Sequence, residues 1–216
     1  MPFDLPSAAL LPSQFFERDT VTVARELLGK ILVSLADDTL TGGRIVETEA
    51  YLGPGDPGSH AYRGMTPRTS VMFGPAGVTY VYFTYGNHHM LNLITERDGV
   101  AGGVLIRALQ PLFGIEEMER RRRGVPLKDL ANGPGKLAAA LGVDLRDYGI
   151  VLGHGRIAVY DAPPPPELIA VSGRVGLSRG WETPLRYYLQ GNPFVSKGRT
   201  GQPRNPAASG SEGASE

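Results

Sequence analysis

Short runs of branched and aromatic residues, separated by glycine, proline and aspartate, dominate the chain between residues 30 and 110. Such runs predict β-strands, because alternating apolar positions bounded by turn residues are typical of strands. Most connections between them are too short for helical crossovers, so we expect a mainly antiparallel sheet. The five runs are KILVSLA, RIVETEAYLG, VTYVYFTY, HHMLNLIT and GVLIRALQ.

Helical patterns are fewer and flank these strands. DTVTVARELLG has a capping aspartate or threonine, apolar residues at helical spacing and a terminal glycine, which predicts a helix. GIEEMERRRRG predicts a short helix, and NGPGKLAAALG predicts another that begins at a proline and ends at a glycine. We therefore expect one domain of the α+β class over residues 1–197, because no linker interrupts the middle of the chain.

Two segments lack any periodicity. The stretch GPGDPGSHAYRGMTPRTS, residues 53–70, is either a functional loop or a disordered one. Residues 198–216 are small and polar and cannot repay the entropy of becoming ordered, which predicts a disordered C-terminal tail.

The stretch VTYVYFTYGNHHMLNL, residues 78–93, predicts a β-hairpin with a two-residue turn at Gly86-Asn87 that places Tyr85 opposite His88. Its tyrosines are open to two interpretations. They are ordinary cross-strand aromatic pairs, which stabilise a hairpin by about 1 kcal/mol or less per pair. Alternatively, an aromatic side chain on a stiff hairpin is a wedge that enters a base stack and replaces an extruded nucleotide.

Two strands carry ionisable residues among apolar ones. The strand period of two places Glu47, Glu49 and Tyr51 on one face of RIVETEAYLG. Arg107 lies in the middle of an apolar strand and is expected to be paired, because a buried arginine is rare without a partner. The acids either point to solvent from an edge strand or form an ion pair with Arg107. They could equally build a polar cluster with His60 that holds a catalytic water.

Composition excludes several kinds of chemistry. The chain has no cysteine, so a disulfide framework, a thiolate zinc site and a cysteine nucleophile are excluded. His88 and His89 are adjacent and would point to opposite faces of a strand, and no histidine pair has metal-binding spacing, so we expect no metal and no cofactor. There is no apolar run of about 20 residues and no pattern of a signal peptide, which favours a cytoplasmic protein without membrane contact.

Several motifs in order resemble one family. These are ETEAYLGP, YVYFTYG, RALQP, NGPGK and RVGLSRGWETPLRYYLQGNPFVS, and the likeness runs from about Phe15 to Ser196. In this combination they are similar to the alkyladenine (3-methyladenine) DNA glycosylases of the mammalian type. The resemblance implies a curved, open-barrel-like sheet surrounded by helices, with a protruding hairpin.

The resemblance also implies roles for individual residues. Glu49 falls on the carboxylate that activates a water, Arg107 on the arginine that positions that water, and the backbone carbonyl of Val175 on a further contact. Tyr85 matches a tyrosine that intercalates through the minor groove. The residues that match the pocket for the flipped purine are Tyr51, His60, Tyr82 and Asn92. Glu47 has no catalytic counterpart and is expected to be structural.

Charge is distributed unevenly along a chain whose formal net charge is zero. The run from Glu167 to Arg204 is locally basic, which fits either a solvated face or contact with DNA. We expect Arg174 and Arg186 in this run to contact the DNA backbone. Lys136 stands at a helix start, where free backbone donors can hold a phosphate, and is expected to do the same.

Together these features predict a monomeric, monofunctional DNA glycosylase that removes alkylated or deaminated purines from duplex DNA and leaves an abasic site. One alternative is a relative that binds lesions without catalysis. Another is a hydrolase of small sugar or nucleoside substrates. The sequence does not decide which lesions are preferred, because that choice depends on the detailed shape and hydrogen bonds of the pocket.

Overall fold

The computed structural model describes residues 8–84, 86 and 88–198 of the 216-residue chain. Tyr85, Asn87 and residues 199–216 lie outside the described residues, so the predicted wedge and tail are not located. The helices are α1 (Ser13–Phe16), α2 (Thr20–Glu26), α3 (Ile115–Arg121) and α4 (Pro134–Leu141). The strands are β1 (Ile31–Ala36), β2 (Thr39–Leu52), β3 (Thr79–Thr84), β4 (His88–Ile94), β5 (Gly102–Phe113), β6 (Ile157–Tyr160), β7 (Ile169–Ser172) and β8 (Arg186–Leu189).

All eight strands belong to one antiparallel sheet. Its main path runs β3-β4-β5-β2-β1-β6, and β8 joins β2 to β7. The sheet curls into a half-barrel, which confirms the predicted α+β class and the curved antiparallel sheet. No helix in the described ranges is long and apolar enough to cross a membrane.

Strand β2 organises the sheet because it pairs with three neighbours. Its first half pairs with β1, its second half pairs with β8, and β5 runs along its other side. The register with β5 shifts on both sides of Glu47 and skips Val46 in β2 and Arg107 in β5. Such bulges bend a strand and change where its side chains point. The irregular part of β2 is therefore the part that carries the predicted acids.

The apolar core lies between the sheet and the helices α2 and α4. Helix α2 begins where the Asp19 carboxylate accepts a hydrogen bond from the Thr22 N–H, and it buries Val23 and Ala24. Thr48 of β2 donates a hydrogen bond at 2.7 Å to the Ala24 carbonyl, so this face of β2 points toward α2. The opposite face carries the acids, which agrees with the predicted alternation along the strand.

Helix α4 begins at Pro134 and ends at Gly142, whose φ of +67° is the left-handed conformation that glycine adopts without strain. It packs on β4 and β5 and buries Leu137 and Leu141. The three helices that were predicted from the sequence are all present.

The observed elements differ from the predicted ones in the register of the hairpin and in several short elements that were not predicted. In the hairpin, Thr84 pairs with His88, so the predicted pairing of Tyr85 with His88 is wrong by one residue. The strands β6, β7 and β8 were not predicted, because each has only four residues and shows too little alternation to stand out.

Candidate active site

Glu49 is fully buried at the centre of the curled sheet. Its Oε1 accepts a hydrogen bond from the Val175 N–H at 2.7 Å, and its Oε2 accepts one from the Tyr51 hydroxyl at 2.8 Å. The Arg107 Nη1 also donates to Oε2, at 3.1 Å. A buried carboxylate is stable when it is paired and hydrogen-bonded, and all three donors meet that need. The interpretation that β2 is an edge strand with solvent-exposed acids is therefore wrong.

Arg107 joins the two acids that the sequence placed on one face. Its Nε donates to Glu47 Oε1 at 2.8 Å while its Nη1 reaches Glu49, and its side chain is 6% exposed. Burial lowers the pKa of an arginine, but the two carboxylates beside Arg107 outweigh this and raise its pKa. The guanidinium is thus charged and held in one orientation. The predicted ion pair is confirmed, and its existence does not exclude a catalytic role.

Glu47 is the most heavily bonded carboxylate of the cluster. Its Oε1 accepts from Arg107, from the Arg186 Nε at 2.7 Å and from the Ser196 hydroxyl at 2.9 Å, and its Oε2 accepts from the Ser196 N–H at 2.7 Å. Burial would raise the pKa of Glu47, but Arg107 and Arg186 bring the pKa below its usual value. Glu47 therefore fixes three elements of the chain around one charge.

An aromatic cluster stands on the 53–70 segment and on β3. The His60 Nδ1 lies 3.0 Å from the Tyr80 hydroxyl, and the His60 ring meets the Tyr82 ring edge-on with centroids 4.7 Å apart. Burial, together with the charge of Arg68, lowers the pKa of His60, so its imidazole is neutral near pH 7. His60 was predicted to form a polar cluster with the carboxylates, but in the structure it contacts the tyrosines of β3.

Tyr51 connects this aromatic cluster to the carboxylates. Burial raises its pKa well above the usual value, and the charge of Glu49 and the neighbouring Tyr82 raise it further. The hydroxyl therefore stays protonated and donates to Glu49. The Arg174 guanidinium lies over the Tyr51 ring, 4.7 Å from its centroid, which holds the ring in place by a cation–π contact.

Asn92 lies on β4 beside the same tyrosines. Its Nδ2 donates to the Tyr80 carbonyl at 3.1 Å, and the side chain is buried. It pairs with Tyr80 across the hairpin and with Leu105 of β5. Asn92 is therefore a fixed residue beneath the aromatic cluster.

Two predicted DNA contacts must be corrected. Arg174 is fully buried and binds Asp56 through two hydrogen bonds of 2.7 and 2.5 Å. Arg186 is buried against Glu47 and the Ser172 hydroxyl. Because both guanidinium groups are enclosed and each is paired with a carboxylate, they support the protein and are not available to a DNA backbone. Lys136 donates to the Asn132 side chain at 2.7 Å and keeps an exposed fraction of 41%, so its predicted contact stays a prediction.

Three residues of the site were missed by sequence reasoning. Ser196 closes the Glu47 cluster from the C-terminal segment, and Asp56 pairs with Arg174. Arg68 places its guanidinium 5.9 Å from the centroid of the Tyr82 ring. Asp56 and Arg68 both lie in the aperiodic segment 53–70. A segment with so many turn residues and three charged side chains was the available signal that this loop is built for function.

Comparison with known proteins identifies a family. Residues 14–193 match the family model "Methylpurine-DNA glycosylase (MPG)". A protein of Chlorobaculum parvum is 47% identical over 196 residues, which cover 90% of this chain and 94% of the relative. One from Methanoculleus marisnigri is 48% identical over 191 residues, which cover 87% of this chain and 98% of the relative. A third, from Chlorobium luteolum, is 49% identical over 191 residues, which cover 88% of this chain and 97% of the relative. Each relative is named "Putative 3-methyladenine DNA glycosylase".

The family match and the names of these relatives identify a hydrolase that acts on N-glycosyl bonds. The substrate of this class is DNA, and its activity belongs to base excision repair. The chain belongs to the methylpurine-DNA glycosylase family, because the family model covers most of its length.

Proposed function

We propose that this enzyme flips an alkylated or deaminated purine out of duplex DNA and hydrolyses its N-glycosidic bond with one activated water. Flipping gives an enzyme access to a base that is otherwise enclosed in the stack. The observation that carries the proposal is the position of Glu49, which is buried, hydrogen-bonded by three donors and linked through Tyr51 to an aromatic cluster.

The hydrogen bonds of Glu49 leave one place for a water. A carboxylate offers about four lone-pair positions. Two on Oε2 accept from Tyr51 and Arg107, and one on Oε1 accepts from the Val175 N–H. Among the described residues nothing else donates to Glu49, so the remaining lone pair is on Oε1 and a water that donates a proton to Glu49 would lie beside Val175. This position supports the expectation that the Val175 carbonyl also contacts the water.

The flipped base is proposed to stack among Tyr51, His60 and Tyr82. Aromatic faces hold a base of any sequence, and stacking of this kind contributes about 1–3 kcal/mol per base. The neutral state of His60 favours stacking of an alkylated purine, because a protonated imidazole would repel the positive charge of that base. Asn92 beneath the cluster is proposed to help exclude normal purines.

The chemical step is simple. As the N-glycosidic bond breaks, its electron pair stays with the departing base and the sugar carbon becomes positively charged. Glu49 stabilises this charge and accepts a proton from the water whose oxygen bonds to the sugar. In the described part of the chain, the groups that donate hydrogen bonds to Glu49 are a hydroxyl, a guanidinium and a backbone amide, none of which forms a Schiff base. We therefore propose a monofunctional enzyme. We also propose that it acts as a monomer without cofactor, on DNA of the nucleoid in the cytoplasm.

A comparison of substrates tests this proposal against its alternatives. We expect release of free base from a duplex that carries one hypoxanthine, and no release from the corresponding free nucleoside, since a nucleoside lacks the phosphate contacts that supply much of the affinity for DNA. Rapid hydrolysis of the nucleoside would favour a small-substrate hydrolase. Tight binding of the lesion duplex without any base release would favour a non-catalytic relative.

Tyr85 is proposed to insert into the duplex and fill the space that the flipped base leaves. We expect Tyr85→Ala to weaken binding of a lesion duplex by about fivefold to 150-fold, because base–aromatic stacking is worth about 1–3 kcal/mol. An unchanged thermal unfolding temperature would show that the loss is one of binding and not of folding. Phe83 is exposed on the same hairpin, and Phe83→Ala serves as a matched control. Equal losses of binding in both variants would contradict the assignment of Tyr85.

A further inference from the structure

Arg68 places a permanent positive charge beside the aromatic cluster. Its guanidinium carbon lies 5.9 Å from the centroid of the Tyr82 ring. The backbone next to it is fixed, because Thr69 is buried and its hydroxyl oxygen accepts a hydrogen bond from the Thr66 N–H at 2.9 Å. Among the residues that the structure describes, no carboxylate lies within ion-pair distance of Arg68. Its charge is therefore not neutralised by a partner in the described part of the chain.

We propose that Arg68 sets the charge preference of the base pocket by disfavouring cationic alkylated purines relative to neutral lesions such as hypoxanthine. The proposal rests on the proposed function, in which the flipped base stacks on Tyr82. A base in contact with that ring lies within reach of the guanidinium charge. The same charge contributes, after burial, to the lowered pKa of His60, which indicates that its field extends over the cluster.

The physical basis is the different charge of the two kinds of lesion before the bond breaks. A 7-methylguanine carries a positive ring and is repelled by Arg68, whereas hypoxanthine is neutral and is not. Since Arg68 is exposed, solvent reduces this repulsion, and we expect a difference of about threefold to tenfold in binding.

The charge of Arg68 should have the same effect on the bond-breaking step for both lesions. The C1′–N bond breaks, its electron pair goes to the base, and the oxygen of water bonds to C1′. The charge of the base falls by one unit in either case, so 7-methylguanine leaves as a neutral base and hypoxanthine leaves as an anion that takes a proton from solvent. Arg68 favours this change in charge for both lesions, so its effect on the rate at saturation does not depend on which lesion is bound.

The test compares Arg68→Gln with the unsubstituted chain on two duplexes, one with 7-methylguanine and one with hypoxanthine. Binding is measured by fluorescence anisotropy in a Glu49→Gln background, in which the bond stays intact, and single-turnover rates are measured with Glu49 present. We expect Arg68→Gln to tighten binding of the 7-methylguanine duplex by about threefold to tenfold relative to the hypoxanthine duplex. Both saturating rates should fall by a similar factor.

Arg63→Gln is the matched control, because Arg63 is an exposed arginine on the same segment. We expect it to change the binding of both duplexes by one common factor, as the loss of a general attraction to phosphates would do. If Arg68→Gln also changes both by one factor, the proposal is overturned and the proposed function is unaffected. If the unsubstituted chain releases neither base, both are overturned.

Discussion

Glu49→Gln is expected to lower the single-turnover rate of base release by roughly 10²–10⁴-fold, the usual contribution of a positioned general base. The amide cannot accept the proton of the water and does not offset positive charge on the sugar. The substitution keeps the size of the side chain, so binding of a lesion duplex should be retained. Rates measured with enzyme in excess over a lesion duplex, together with binding by fluorescence anisotropy, separate these two effects.

Glu167→Gln provides the matched control for Glu49→Gln. Glu167 pairs with Arg44 in a two-point ion pair, with distances of 2.6 and 3.1 Å, that is partly exposed and separate from the acids of β2. Glu167→Gln removes the same charge as Glu49→Gln, but from an ion pair outside the proposed active site. The Glu167→Gln variant should therefore release base at the rate of the unsubstituted chain. A Glu49→Gln variant that is folded and releases base at the unsubstituted rate would contradict the assignment of Glu49.

Glu47→Gln is expected to have the largest effect on stability, at about 3–5 kcal/mol, since it removes one partner from a buried ion pair. Arg107 would retain Glu49, but Arg186 would lose the only carboxylate with which it pairs among the described residues. Glu167→Gln again serves for comparison and should cost less than about 1 kcal/mol, as partly exposed pairs contribute little. Urea unfolding at pH 7 measures both variants.

The effect of Glu47→Gln should depend on pH in a defined direction. Because the folded state lowers the pKa of Glu47, its stabilisation is present above the usual pKa of about 4.5 and is lost as the pH falls through the folded value. The difference in unfolding free energy between the two chains should therefore shrink on acidification from pH 5 to pH 3. A difference that stays constant over this range would contradict the role of Glu47 as the charged centre of the cluster.

Much of the sheet could be predicted from local sequence. β1 to β5 are long enough to show branched and aromatic alternation, and start and stop residues in the sequence flank α2 and α4, so each element is specified by residues close to it. The face of β2 that carries Glu47 and Glu49 followed from the strand period alone. Whether these acids faced solvent or Arg107 could not be decided, because that depends on which strands lie on either side of β2.

The rest of the site depends on contacts between distant parts of the chain. Arg186 and Ser196 reach Glu47 from 139 and 149 positions away, and Arg174 reaches Asp56 from 118 positions away. A run of basic residues predicts an exposed surface, but it contains no information on which members find a buried carboxylate. Arg174 and Arg186 were therefore assigned to DNA from charge, whereas the fold uses them to hold the acids and Tyr51 in place.

In the hairpin, too, local sequence predicts one feature and the contacts with the rest of the sheet determine another. Gly86 has a φ of +72°, which agrees with a glycine-dependent turn. The register is nevertheless shifted by one residue, since Thr84 pairs with His88. A turn motif indicates where a hairpin reverses, but the loop length also depends on how the flanking strands pair with the sheet.

The most direct test follows one duplex that contains a single alkylated or deaminated purine under single-turnover conditions. We expect the released base to appear as a free purine while the strand stays intact and becomes cleavable by alkali at the lesion, as an abasic site requires. Absence of free base, or a strand that is cut by the enzyme without alkali, would contradict a monofunctional glycosylase centred on Glu49.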